Sequence, residues 1–106
     1  MVARGDIWLV ALDPTSVSEI QKTRPCVVVS PEEMHEHLRT VMVAPMTSRG
    51  RPAPFRIPVS FRNQHGLILL DQIHSVDKVR LIKKEGAVPE DTLSSALSAL
   101  QEVFAD

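Results

Sequence analysis

"EIQKTRPCVVVSP", residues 19–31, carries long polar and charged side chains into Arg24-Pro25 and then into an unbroken apolar run. Turns ordinarily use Gly, Asn, Asp or Ser for their backbone freedom. Here an arginine and a glutamate are delivered instead to the mouth of what reads as a buried strand. "PCVVVS" (25–30) is too short and too β-branched for a helix. It anchors a β-rich reading of the whole chain.

Working outward, "DIWLVALD" (6–13) is apolar and β-branched and ends at the Asp13-Pro14 turn signal. After the opening stretch, Ser30-Pro31-Glu32-Glu33 reads as a helix start with Ser30 as its cap. "TVMVAPM" (40–46) is a strand whose end Pro45 places at an edge or a bend. "SRGRPAP" (48–54) is an exposed loop, and "FRIPVSF" (55–61) alternates like a half-buried strand. His65-Gly66 reads as a turn, "GLILLDQI" (66–73) as a buried strand and "VRLIKKEG" (79–86) as a shorter one. The period then changes: Leu93, Ala96, Leu97, Leu100, Val103 and Phe104 follow the spacing of an amphipathic helix, with Pro89 in its first turn. Trp8, Phe55, Phe61 and Phe104 read as core residues. The expectation is one domain spanning 1–106, mainly β (α+β): a small SH3-like barrel of five to seven strands with a C-terminal helix covering an open face or a subunit interface.

A chain of 106 residues can build one modest core. No apolar run approaches the ~20 residues of a membrane span, so no membrane partner is expected. Cys26 is the only cysteine, which fits a reducing, cytoplasmic setting. A net charge of −1 argues against non-specific coating of nucleic acid. The charge is uneven, however. No acid lies between Glu36 and Asp71, where Arg39, Arg49, Arg51, Arg56 and Arg62 all fall. Such a face suits a short anionic ligand, or is simply solvated surface.

Individual residues carry competing readings. Arg24, held extended before Pro25, is either a cation aimed at phosphate or a rim arginine paired with Glu19 or Asp71. Glu19, Gln21, Lys22 and Thr23 form a polar loop that becomes substrate contact only if Arg24 is functional. Thr47-Ser48 either holds a phosphate oxygen or caps the turn into the loop of Arg49 and Arg51. Asp71-Gln72 follows "GLILL", so Asp71 is expected buried and paired with an arginine. His35 and His37 lack further ligands at metal-site spacing, and no metal or other cofactor is expected.

Taken together, "RGDIWLVALDPT" (4–15), "SEIQKTRPCVVVSP" (18–31), "VMVAPMTS" (41–48) and "GLILLDQIHSVDKVRL" (66–81) resemble, in order and spacing, the MazF/PemK family of toxins from bacterial type II toxin–antitoxin systems. The resemblance spans nearly the whole chain. It implies a homodimeric, metal-independent endoribonuclease that cuts single-stranded RNA (mRNA) at short sequences and arrests translation. The nucleophile would be the 2′-hydroxyl, leaving a 2′,3′-cyclic phosphate and a 5′-hydroxyl. It places the catalytic pair on Arg24 and Thr47, the loop glutamate on Glu19, a further catalytic candidate as acceptor of the 2′-hydroxyl proton, and the family aspartate on Asp71. A cognate MazE/PemI-like antitoxin would neutralise the toxin through an acidic segment and would mediate any contact with operator DNA. Three departures stand out. The loop "PTSVSE" (14–19) lacks a glycine common in relatives, His74 stands where arginine is common, and Leu69 occupies a site where some relatives use arginine. The same fold also serves CcdB-type gyrase poisons, but these do not need the arginine–threonine pair, which is intact here. A non-catalytic binding module of this fold is the other alternative.

Overall fold

The computed structural model describes residues 1–12 and 23–106. Its elements follow as β1 (Asp6–Ala11), β2 (Thr23–Val28), α1 (Glu32–His37), β3 (Thr40–Thr47), β4 (Arg56–Phe61), β5 (Gln64–Leu69), β6 (His74–Asp77), β7 (Leu81–Ala87) and α2 (Glu90–Val103). The strands pair antiparallel in the order β4-β5-β3-β2-β1-β7, with β6 also on β3. The expected mainly β fold with a C-terminal helix is what forms.

β3 is the hub. Val43, Ala44 and Pro45 pair with Val28, Val27 and Cys26 of β2. Thr40–Val43 pair with Asp77–His74 of β6, while Met46 and Thr47 pair with Ile68 and Leu67 of β5. Pro45 therefore lies inside the strand rather than at its end. It occupies the gap between the β6 and β5 partners, where a missing N–H costs least.

Side chains alternate across this sheet and both faces are buried. Val27, Ala44, Met46, Ile68 and Leu70 pack on one face with Ala96, and Leu93 and Leu100 of α2 lie against them. Cys26, Val28, Val41, Val43 and Val76 pack on the other, with Trp8 and Leu81 closing the edge. The apolar run of β2 is continuous for this reason. Register shifts on both sides of Trp8-Leu9 bend β1 against β7, curling the sheet around the second core.

Several local expectations are corrected. Residues 66–73 are not one strand: β5 ends at Leu69, and a 3₁₀ turn (Leu70–Gln72) leads into β6. Leu67, Ile68, Leu69 and Leu70 are all buried. Ile68 and Leu70, two apart, share the first core as strand alternation dictates, and the turn then carries the chain out through Asp71 toward β6. The β4–β5 turn is Arg62-Asn63, with φ of 54° and 60°, the two-residue geometry that needs both residues left-handed. His65 and Gly66 belong to β5. A second 3₁₀ turn (Lys78–Arg80) replaces the expected start of the last strand.

Ser30 does not cap α1. Its Oγ lies 2.7 Å from His35 Nε2 and accepts the Met42 N–H at 3.0 Å, while His35 Nδ1 sits 3.1 Å from the Val2 carbonyl. Buried His35 thus ties the N-terminal segment to the β2–β3 connection. Phe55 (40% exposed) and Phe104 (72%) are not core residues, and Val103 is exposed with Phe104, because α2 runs past the sheet.

Leu70→Ala is expected to cost about 2–5 kcal/mol, the range for emptying a fully buried leucine site. Urea denaturation checks this: the midpoint falls and the slope is unchanged.

Candidate functional site

Pro25 fixes the backbone near the start of β2, so Arg24 projects from a strand whose following residues, Cys26 to Val28, are locked alternately in the two cores. Thr23 and Arg24 are exposed there, and Arg24 pairs with Val10 of β1. The β2–β3 register runs through Cys26 opposite Pro45. Carried two residues further, it sets Arg24 opposite Thr47. Both residues line one cavity of about 370 Å³, whose walls also include Thr23, Ser48, His65 and Gly66.

Thr47 is placed by its neighbours. Its Oγ1 accepts the Arg49 N–H at 3.2 Å, which uses a lone pair and leaves the hydroxyl proton free to donate. β5 reaches β3 closely here: a Cβ on residue 66 would lie 2.6 Å from the Thr47 carbonyl oxygen. Only glycine fits, so Gly66 sets the position of Thr47. A glycine inside a strand is the sequence signal for such an approach, and reading it as a turn hid the wall formed by Gln64, His65 and Gly66.

Arg24 is the one charged side chain among the described residues of this wall, beside the titratable His65. Beneath it, Cys26 is fully buried. Burial pushes its thiol up to about 12, against a smaller downward pull from Arg24. The thiol stays protonated and is no nucleophile.

Asp71 is not the buried acid expected, nor does it pair with Arg24. Its side chain is one-third exposed and takes a bidentate grip from Arg56, Nε to Oδ1 at 3.1 Å and Nη2 to Oδ2 at 2.9 Å. The apolar run before it ends in a 3₁₀ turn, which swings Asp71 and Gln72 out to solvent. Hydrogen bonding from Arg56 lowers the Asp71 carboxyl below its ordinary range. The pair's contribution to stability is therefore present above that range and lost as pH falls through the lowered value. Arg24, in contrast, has neither Asp71 nor any other described acid on its cavity wall.

The remaining residues divide. Ser48 lines the first cavity and, with Arg49, a second one of about 580 Å³ that shares Ser48, His65 and Gly66. Arg51, Asp71 and Gln72 line neither. Glu19, Gln21 and Lys22, like the glycine-less loop 14–19, lie outside the described residues. His74 is exposed, its Nδ1 3.0 Å from the Gln72 carbonyl, and Leu69 is buried as a core residue. Among the described residues no group of three or more His, Cys, Asp or Glu is placed to hold a metal ion, and no helix is long and apolar enough to cross a membrane.

A curled antiparallel sheet backed by a C-terminal helix, with an arginine and a threonine at adjacent strand ends, defines the class: small SH3-like β proteins with a polar site at the barrel mouth. A family profile described as "PemK-like, MazF-like toxin of type II toxin-antitoxin system" matches residues 3–104. The curated protein Endoribonuclease PemK of Escherichia coli is 37% identical over 108 residues, covering 95% of this chain and 80% of the relative. The crystal structure of MazF (Form-I) from Deinococcus radiodurans superposes with a TM-score of 0.76 at 24% identity, covering 98% of this chain and 96% of that one. An endoribonuclease in complex with its cognate antitoxin, from Mycobacterial species, gives a TM-score of 0.82 at 20% identity, covering 98% and 95%. The chain belongs to the PemK-like, MazF-like toxin family of type II toxin–antitoxin systems.

Gly66→Ala is expected to push β5 away from the Thr47 backbone, lowering the melting temperature and slowing the family reaction together. Thermal denaturation and turnover of the same variant check it. Unchanged turnover would separate Gly66 from the placement of Thr47.

Proposed function

We propose that this chain is a metal-independent endoribonuclease toxin that cleaves single-stranded RNA by attack of the substrate's own 2′-hydroxyl. The observation that carries the reading is the meeting of Arg24 and Thr47 on one cavity wall. Family membership and the Escherichia coli relative named Endoribonuclease PemK support it.

The chemistry follows from the side chains. As O2′ attacks phosphorus, negative charge builds on the non-bridging oxygens of the phosphorane. A guanidinium offers a planar fork of donors matched to two such oxygens, and it stays protonated at any working pH. In a partly closed cavity, with no acid on the described wall, Arg24 meets that charge without competition. Thr47 donates its free hydroxyl proton to a phosphate oxygen, and Ser48 extends the same wall. Thr23, Arg49, Arg51 and Gln72, with Gln21 and Lys22, are assigned to contacts along the RNA. Asp71, held by Arg56, is assigned to the rim of the same surface, and Glu19 to the substrate loop.

The working form is a homodimer of this domain, neutralised by a cognate antitoxin whose acidic, initially disordered segment occupies the cationic groove. Solved relatives that carry antitoxins support that partner class. Exposed Ile82, Val103 and Phe104 supply apolar surface for the self-association.

Arg24→Ala is expected to lower kcat by roughly 10²–10³-fold, the scale for losing one preorganised donor. Arg24→Lys recovers little, because an ammonium cannot form the fork. Both fold normally by circular dichroism. An oligonucleotide with one deoxyribose 5′ to the cut binds and is not cut, and products of normal substrate carry 5′-hydroxyl ends in EDTA. Cleavage of the deoxy substrate, or 5′-phosphate ends, overturns the mechanism.

Antitoxin and RNA are expected to compete, with antitoxin affinity falling as salt rises. Fluorescence anisotropy with labelled RNA reads this directly; a ternary complex with full RNA affinity contradicts it.

A further inference from the structure

Internal attack by a 2′-hydroxyl requires a group to receive its proton, and the catalytic pair cannot serve. Arginine has no lone pair to offer at neutral pH, and a threonine hydroxyl is no base. Cys26 is sealed in the core behind them. Of the described residues lining the cavity, His65 alone carries an imidazole, whose ring nitrogen can accept a proton.

Its position follows from the sheet. Thr47 pairs directly with Leu67. Side chains alternate along β5, so His65 shares the face of Leu67 and Thr47. Diagonal cross-strand neighbours of this kind lie about 7–8 Å apart. That is room for a phosphate on Thr47 with its ribose hydroxyl toward the imidazole. His65 is exposed, its Nδ1 lies 3.5 Å from Oγ of its cross-strand partner Ser60, and no described residue hydrogen-bonds Nε2. The charged groups on the walls of the two cavities it shares are Arg24 of β2, Arg49 of the β3–β4 loop and Asp91 of α2.

We propose that His65 is the general base of RNA cleavage; the proposal rests on the ribonuclease reading above. Nε2 of the neutral ring takes the 2′-hydroxyl proton as the O2′–P bond forms and the P–O5′ bond breaks. The bonding pair leaves on O5′, which takes a proton from solvent water. The imidazolium then gives its proton to the resulting hydroxide, and the ring is neutral again. Products are a 2′,3′-cyclic phosphate and a 5′-hydroxyl.

The test measures kcat/KM against pH for wild type, His65→Asn and Glu19→Gln. Two substrates are used: an all-oxygen oligonucleotide and one with a bridging 5′-sulfur at the cut, whose leaving group needs no proton. Wild type is expected to show a limb that ascends with pH, as a base that must be unprotonated requires, and then a plateau. His65→Asn loses the limb, falls roughly 10²–10⁴-fold, stays slow on the sulfur substrate and is partly rescued by added imidazole. His65→Gln, closer in length, is the second variant if Asn disturbs the strand. Full activity in both variants overturns the proposal. So does recovery on the sulfur substrate, which would make His65 the acid, and so does a limb lost in Glu19→Gln but kept in His65→Asn. Cleavage of the deoxy substrate by wild type would instead sink the ribonuclease reading itself, a failure distinguishable from that of His65.

Discussion

The close approach of β5 to the end of β3 is the constraint on which the site depends. β3 serves β2 throughout its middle but trades β6 for β5 after Val43, and that exchange can finish only if residue 66 has no side chain. The backbone contact brings Thr47 to the cavity, while the β2 register brings Arg24. Two separate pairings thus converge on one point. The cavity is a by-product of a strand that changes partners, and the chemistry sits where the ladder changes hands.

Charge is managed by the same economy. The cationic stretch between Glu36 and Asp71 does not act as one patch. Arg56 is spent on Asp71, and Arg62 on Glu85 with its guanidinium stacked 5.0 Å over Phe61. These pairs brace the 3₁₀ turn and the tip of the β4–β5 hairpin, the element that carries the His65 wall. A cation already committed to a carboxylate offers less to a phosphate. Arg24 is on the wall with no such commitment among the described residues, so its field points at whatever enters.

Much of this was legible in the sequence, for physical reasons that can be named. β-branched runs bounded by turn signals located most strands, and the change of period located α2. Arg24 drew notice as a charged group at the mouth of an apolar strand, but the residues alone left it and Thr47 open between site and surface, and only the family resemblance joined them as a pair. Other features depended on long-range context. The break between β5 and β6 cannot be seen in "LILLD", since four consecutive apolar residues fit either a strand buried on both faces or a strand that turns. Ser30 looked like a cap because nothing local reveals that His35 and Met42 would claim its hydroxyl. Gly66 was read as a turn because its real cause, the Thr47 carbonyl, is nineteen positions away in a sequence that does not announce the pairing. Asp71 was placed in the wrong environment for the same reason, as the turn that exposes it is set by Leu70.

Cys26 gives the fold a property unrelated to catalysis. Its side chain is fully buried in the cluster that holds Val10, Val28 and Val43, and that burial keeps the thiol protonated. Oxidants and alkylating agents react with thiolate at an accessible surface. The native chain therefore presents its single thiol to neither, and chemical damage at this position requires the sheet to open first. Such damage, once made, places a polar adduct among valines and blocks reclosure. Oxidative injury to this protein would then follow its breathing rate and would remove only molecules that had already opened.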